Sequence, residues 1–435
     1  MLEAWEILIL PLKFDRMKAP LWLASHLPHK GGDPQNGIPC IHNTLKISDT
    51  WSFLGFGGVV FSLSPLVGEM AAARGGMSLS FLRKDWCLVP ARLYCRALIT
   101  GSSIGLMSQK KVLVVGGAGY IGSHNCLLLA ERGYQPIVFD NLSNGHAEFV
   151  KWGPLEQGDI RDRARLNEVF EKHKPDAVLH FAALIEVGES VKNPVAFYDN
   201  NVIGALTLLS AALDAGVKAF VFSSTCATYG LPQQVPMDET HPQAPINPYG
   251  RTKFIIEQAL KDYGTYKGLR SVMLRYFNAA GADFEGRIGE WHTPETHAIP
   301  LAIEAALGRR QGFKVFGDDY DTRDGTCVRD YIHVLDLADA HVRAVDYLLA
   351  GGETVELNLG TGTGTTVKEL LATISDVSGK PFPVDYVGRR DGDSTTLVAN
   401  NDKAKAVLGW EPQYTLHDII RSAWNWHSKA NFHLN

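Results

Sequence analysis

Residues from Lys111 to about 428 read as an α/β chain built on a doubly wound parallel sheet, and three features carry that reading. From Lys111 onward, β-rich runs alternate with amphipathic segments, the pattern of βαβ units. The first run, Val112-Leu-Val-Val115, leads directly into a glycine-rich turn and a helix-forming stretch. The second, Gln135 to Phe139, ends on an acid, Asp140.

The turn after the first run is Gly116-Gly117-Ala118-Gly119-Tyr120-Ile121-Gly122, followed by a helix predicted over Ser123 to Glu131. Glycines at 116, 119 and 122 permit a tight turn, close approach of a pyrophosphate to backbone N–H groups, and close strand–helix packing. The helix N-terminus adds a favourable field for the negative charge. A glycine-rich turn alone is also an ordinary tight turn. Asp140, 18 residues after Gly122, stands where a ribose-binding acid is expected. Its carboxylate would accept hydrogen bonds from the ribose hydroxyls and repel a 2′-phosphate, which favours NAD over NADP. Strand, glycines, helix and acid in this order predict a Rossmann-type nucleotide site.

Further on, Ala219-Phe-Val-Phe-Ser-Ser-Thr225 reads as a later parallel strand with hydroxyls at its C-terminal end, where ligands of open α/β sheets bind. Tyr249-Gly-Arg-Thr-Lys253 follows on a helix that begins after Pro248. Residues i and i+4 share a helical face, so the Lys253 ammonium is expected beside the Tyr249 phenol, favouring its ionised form and making a base near neutral pH. In isolation such a pair is usually an exposed tyrosine and lysine. After a dinucleotide fold and a Ser-Ser-Thr strand end, the catalytic reading is favoured.

Composition narrows the function classes. The chain has 435 residues, 45% hydrophobic and 20% charged, enough for a sizeable core. A net charge of -5 offers no field for nucleic acid or an anionic membrane. Six cysteines are scattered without CxxC spacing, which argues against structural zinc or a disulfide framework and fits a reducing cytoplasm. The run Phe53 to Val67 is too short to span a bilayer, and the acidic start Met-Leu-Glu-Ala-Trp-Glu does not read as a targeting segment.

Residues 1–106 hold apolar clumps (Ile7 to Leu12, Leu21 to Leu23, Phe53 to Phe61) without sustained period, and predict no element. The boundary is expected near Met107, which is followed by a polar stretch and then the first strand. We expect Met107 to be the true start and the preceding residues to come from an upstream start. A small appended module is the alternative, and intact mass from the native host separates the two.

The glycine loop, the Ser-Ser-Thr strand end and the YxxxK helix resemble the extended short-chain dehydrogenase/reductase family. By that resemblance Thr225, Tyr249 and Lys253 form its catalytic triad. Further stretches are similar to the UDP-glucose 4-epimerase branch: Asp140-Asn141-Leu142, Gly158-Asp159-Ile160, His180-Phe181-Ala182-Ala183, Val187-Gly188-Glu189-Ser190, Asp199-Asn200-Asn201, Arg275-Tyr276-Phe277-Asn278 and Val328-Arg329-Asp330-Tyr331-Ile332-His333. The resemblance runs over essentially all of 111 to 428 and finds no match in 1–106.

The resemblance implies 4-epimerisation of a UDP-hexose through a 4-keto sugar, on NAD that stays bound. Tyr120, Ile121, Asp140, Asn141, Asn144 and Asp159 are implied on one side of that cofactor, and Ile160, Phe181, Ala182, Ala183, Asn200 and Phe277 around the rest. Asn278, His297, Phe316, Arg329, Arg390 and Asp393 are implied at the UDP moiety, with Leu397 beside the sugar. Residues 107–278 would form the NAD-binding domain. Residues 279–435 would form a smaller C-terminal α/β domain, mainly for the UDP-sugar, with some segments returning to the first. A homodimer in the cytoplasm is implied too, and no metal is expected.

Two positions depart from the pattern. Ile185 stands where some members carry lysine, and Leu397 where a tyrosine or a smaller residue occurs, which leaves substrate breadth open between hexoses, N-acetyl hexosamines and pentoses. Among rivals, a nucleotide-sugar 4,6-dehydratase needs acid residues directly after the catalytic Thr and a UDP-sugar decarboxylase commonly has a glutamate in that segment, where this chain has Cys226 and Ala227. A non-catalytic NAD-sensing protein would be expected to lose the Tyr/Lys pair, and both are present.

Overall fold

A computed structural model describes residues 109–390 and 392–429, together with two four-residue strands nearer the N-terminus. The chain divides into two units, 1–102 and 103–435. In the first, Phe53–Phe56 pairs antiparallel with Val59–Ser62, where the sequence predicted no element. The two residues between these strands in the sequence, Gly57-Gly58, are a short-range hairpin signal without helical or strand periodicity. The expectation that Met107 is the true start concerns a boundary that lies outside the described residues.

The second unit is built on a seven-stranded sheet. Its strands in chain order are β1 (Lys111–Val115), β2 (Gln135–Asp140), β3 (Leu155–Gln157), β4 (Ala177–His180), β5 (Ala219–Thr225), β6 (Arg270–Tyr276) and β7 (Val355–Leu359). In space the order is β7-β6-β5-β4-β1-β2-β3, parallel throughout. The direction of winding therefore reverses between β1 and β4, and the crevice beyond their C-terminal ends is where such sheets bind ligands.

The inner strands are buried on both sides because both faces of the sheet are covered. On one face Val112, Val114, Leu179, Val221 and Val272 pack with α1 (Tyr120–Glu131) and with the helix Val334–Leu349. On the other, Leu113, Val115, Phe139 and Phe220 pack with α2 (Arg163–His173), α3 (Gly204–Asp214) and α4 (Pro248–Lys267). Helix α1 begins at Tyr120, earlier than the predicted Ser123, because Gly119 is already extended and acts as its N-cap. The segment 334–359 returns to the sheet, supplying one covering helix and strand β7.

A third core lies C-terminal to the sheet, where Ile299 and Ile303 pack with Val315, Leu370, Ile374 and Ile420. Beside it are short strands: Phe313–Phe316 parallel to Val384–Val387, and Val328–Arg329 between Thr365–Thr366 and Thr396–Leu397. Among the described residues no helix is long and apolar enough to cross a membrane.

Candidate active site

A cleft of about 1100 Å³ opens at the C-terminal ends of β1, β4 and β5. Its floor is the loop between β1 and α1. Gly116 has φ +83°, and a Cβ there would stand 2.6 Å from the amide nitrogen of Ala182. A Cβ on Gly122 would fall 2.1 Å from the Gly116 carbonyl oxygen. No side chain caps α1 and no acid occupies its first turn, so its leading N–H groups keep their field for an anion. These residues fit a dinucleotide pyrophosphate. Tyr120, Ile121, Asn141 and Asn144 line the same end of the cleft, as do Gly119 and Ile160.

Asp140 closes β2 with its carboxylate buried. It accepts hydrogen bonds from the backbone N–H of Ala118 (3.0 Å) and Leu142 (2.8 Å). Burial raises its pKa, and those two amides oppose the rise. The carboxylate is therefore held in place before any ligand arrives.

Asp159 is not on the cleft wall. Its carboxylate accepts from Asn141 Nδ2 (3.2 Å) and pairs with Arg161 at 2.8 Å, so it supports Asn141 from behind. Phe181, Ala182 and Ala183 line the wall beyond β4. So do Phe277, on the far side, and Ile185, where no side-chain cation is present. Asn200 reaches the cleft from a π-helical turn, Tyr198–Ile203, of the kind that often marks functional sites. Its neighbour Asn201 is buried, gripping Leu184 through both backbone groups (2.8 and 2.9 Å) and donating to Thr252 (3.2 Å). That clamp had no sequence signal beyond the repeated asparagine.

The catalytic candidates converge. Thr225 ends β5, while Tyr249 and Lys253 lie one turn apart near the start of α4, and all three face the cleft. The Thr225 hydroxyl lies beside the Tyr249 phenol and acts to lower its pKa. Lys253 Nζ donates to the Ser223 carbonyl (2.9 Å) and lies 6.0 Å from the Tyr249 ring centroid.

The expected electrostatics need correction. Burial, helped by Tyr276, pushes the Tyr249 phenol well above its ordinary range, and the Thr225 hydroxyl only partly opposes this. Burial also lowers Lys253 to about 7, against the attraction of Glu257. In the ligand-free protein desolvation is the largest influence on both groups, and it opposes ionisation of the phenol and of the ammonium alike.

Behind them is a polar network with no counterpart in the sequence reading. Glu257, one turn after Lys253, accepts from Ser224 (2.5 Å) and forms a two-bond pair with Arg275 (2.9 and 2.6 Å). Arg275 also donates to Tyr229 (3.0 Å), whose hydroxyl donates to Asn358 on β7 (2.6 Å). Arg275 belonged to a recognised motif, but its partner is distant in sequence.

Opposite the triad, Asn278 donates to the Asp330 carbonyl (3.0 Å) and Arg329 to the Ser394 carbonyl (2.8 Å). Asp393 stands 3.8 Å from Arg329 and 3.3 Å from Arg390. Phe316 does not line the cleft; it supports Arg390, whose guanidinium stacks 4.4 Å from its ring centroid. Leu397 lines the cleft and packs against the cluster of Tyr229, Met237 and Phe277.

His297 is not the lone loop histidine its position suggested. Its Nδ1 lies 3.0 Å from Glu290 and 3.1 Å from Glu295, and His292 completes the group. Burial lowers both imidazoles, but the two carboxylates prevail and bring His292 to about 9 and His297 to about 10. The alternation Glu290, His292, Glu295, His297 was a visible signal that the sequence reading left unused.

Residues 113–423 match the family described as GDP-mannose 4,6 dehydratase. The UDP-glucose 4-epimerase of Rhizobium leguminosarum bv. trifolii is 79% identical over 327 residues, which is 75% of this chain and 100% of that protein. Among solved structures, UDP-glucose 4-epimerase from Brucella ovis in complex with NAD is 52% identical with a TM-score of 0.72, covering 73% of this chain and 98% of that one. The epimerase from Stenotrophomonas maltophila with bound NAD and formylated UDP-arabinopyranose is 42% identical, also at 0.72, over 74% of this chain and 98% of its own. Of the two names these matches print, the dehydratase one lacks the acid its chemistry would need after Thr225. By sequence, sheet order and cleft, the chain belongs to the UDP-glucose 4-epimerase family of extended short-chain dehydrogenases/reductases.

Proposed function

We propose that residues 107–435 catalyse NAD-dependent 4-epimerisation of a UDP-hexose, UDP-glucose and UDP-galactose being the pair interconverted. The observation that carries this is one cleft facing Thr225, Tyr249 and Lys253 on one side and the Gly116–Gly122 loop with Asp140 on the other. Residues 107–278 are assigned to the dinucleotide and 279–435 mainly to the UDP-sugar.

When bound, the dinucleotide supplies a hydride acceptor and a positive charge beside the Tyr249 phenol. That charge is what the burial of Tyr249 requires before the phenol can release its own proton to solvent and, as phenolate, accept one from the sugar 4-hydroxyl. Thr225 holds the same oxygen, and Lys253, fixed by the Ser223 carbonyl, keeps its ammonium on the far side of the phenol. Loss of hydride at C4 leaves a planar ketone, and its return to the opposite face gives the epimer. Meanwhile Asn278, Arg329 and Arg390 hold the nucleotide, with guanidinium forks suited to a diphosphate.

A dehydratase is disfavoured because Cys226, next to Thr225, has its thiol pushed up to about 12 by burial and cannot assist elimination of water. As partner we infer a second copy of the chain, since Val191, Val195 and Ile203 lie exposed between 187 and 203 with Ile255 exposed on α4. A cytoplasmic location without a nucleic-acid partner rests on the charge of -5 and the scattered cysteines.

The test is direct: purified full-length protein is mixed with UDP-galactose and UDP-glucose formation is followed. Absorbance typical of a reduced nicotinamide on adding a uridine nucleotide sugar is the second readout. Absence of both signals in cofactor-loaded protein overturns the assignment.

A further inference from the structure

We propose that Glu290, His292, Glu295 and His297 form a binding site for a divalent transition-metal cation of the zinc class, which clamps the loop 290–297 at the cleft wall. One donor atom from each of the four residues lies within 4.8 Å of the others. The donor set, two imidazoles and two carboxylates, is one that zinc takes in tetrahedral sites.

The spacing suits such an ion. A tetrahedral centre with bonds of about 2.0–2.1 Å places its ligands roughly 3.3 Å apart. Glu290 Oε1 stands 3.0 Å from Nδ1 of His297 and 3.5 Å from Nδ1 of His292, while Glu295 turns Oε1 to His297 at 3.1 Å and Oε2 to His292 at 3.6 Å. These separations bracket that value. Two of them fit no hydrogen bond, since Nδ1 of His292 is buried, stands 3.5 and 3.6 Å from the two carboxylates and has no hydrogen-bond partner. An unpartnered buried imidazole nitrogen aimed between two carboxylates is costly, and a cation between them relieves the cost. Charge permits the exchange: two carboxylates with two protonated imidazoles sum to zero, and so do two carboxylates with neutral imidazoles and a divalent ion, two protons being released on binding.

Outer contacts point the same way. The Glu295 carboxylate accepts from the backbone N–H groups of Thr296 (2.7 Å) and His297 (2.8 Å) and is oriented by them, while the Glu290 backbone carbonyl, which accepts from Trp426 Nε1 (2.9 Å), fixes the chain at the start of the loop. With four protein ligands the site is closed, which assigns the ion a structural role. It would hold Thr293, Thr296 and His297 on the wall of the cleft.

The experiment uses full-length protein stripped with chelator, dialysed against zinc chloride and then against buffer, with metal counted per chain. Because other histidines and cysteines of the chain could take up zinc, the quantity read is the difference between wild type and a cluster variant. Wild type is expected to hold one zinc more than His297→Ala, whose imidazole is 44% exposed and whose loss the fold should tolerate. Zinc should raise the melting temperature of wild type by several degrees and leave His297→Ala unmoved. Cobalt in place of zinc should give the visible absorption of a tetrahedral centre. Equal zinc content in wild type and folded His297→Ala, with no differential thermal shift, overturns the proposal and leaves the cluster as an ion-pair network. If His297→Ala does not fold, Glu295→Gln takes its place with the same two outcomes.

Discussion

Glu257 and Arg275 form a doubly hydrogen-bonded ion pair, both side chains at most 1% exposed, one helical turn beyond Lys253 and directly behind Thr225. Removing one member of such a pair leaves an uncompensated buried charge, which typically costs about 3–5 kcal/mol. We predict that Arg275→Met lowers unfolding stability by an amount in this range, read by chemical denaturation. Ser224, which donates to Glu257, connects the pair to the end of β5, so turnover should fall as well.

Tyr249→Phe removes the phenol that faces the cleft but nothing of the glycine loop or Asp140. It should reduce turnover at least a thousandfold while the purified protein retains its NAD, measured by release of nucleotide on denaturation. Near-normal activity would remove Tyr249 from the mechanism.

The lowered pKa of Lys253, about 7 against an ordinary value of 10.5, gives a pH dependence with a definite sign. Between these values the folded protein holds fewer protons at this site than the unfolded chain, so stability rises with pH across pH 7 to 10.5. Below about 7 both states are protonated and the full penalty applies. In ligand-free protein Lys253→Met should therefore be more stable than wild type at pH 7 while being inactive. The gap should shrink by on the order of 1.4 kcal/mol per pH unit as pH rises toward 10. Thermal melts of both proteins at pH 7, 8 and 9 check the slope.

Much of this site was legible because its information is local. The spacing of Gly116, Gly119 and Gly122, the acid ending β2 and the i, i+4 separation of Tyr249 and Lys253 each reflect one element's own geometry. What escaped depends on where distant segments meet. Glu257 and Arg275 lie on α4 and β6, and only the packing of that helix on the sheet makes them partners. Asp159 and Phe316 sit beside cleft residues and act through Asn141 and Arg390, a distinction that sequence position does not express. The sign of the electrostatics around Tyr249 was also hidden. Pairing with Lys253 follows from spacing, whereas the opposing burial follows from the whole fold.

Asp140 predicts the cofactor preference. Its carboxylate is already fixed by the Ala118 and Leu142 amides at the end of β2, so it cannot swing away from an added 2′-phosphate. NAD should bind at least tenfold more tightly than NADP, and Asp140→Asn should narrow that ratio. Competition of the two cofactors in a fluorescence titration measures it.

Leu397 is the position at which substrate breadth is expected to be set. It lies on the short strand Thr396–Leu397, parallel to Val328–Arg329, which fixes it on the cleft wall close to Asp393 and Arg329. Its side chain is packed from behind by the cluster of Tyr229, Met237 and Phe277, so its bulk faces a wall that cannot recede. A leucine lacks the ring and hydroxyl of a tyrosine and leaves more room, though less than a serine would. A small steric difference in an apolar pocket discriminates by about 1–3 kcal/mol. UDP-galactose should therefore be preferred to UDP-N-acetylgalactosamine by roughly ten- to a hundredfold in kcat/KM. Leu397→Tyr should suppress turnover of the N-acetyl substrate and spare that of UDP-galactose, with both assayed side by side. Equal loss of the two activities would mean that the bulk at 397 disturbs the cleft as a whole, and that the room beside the sugar is set by other residues.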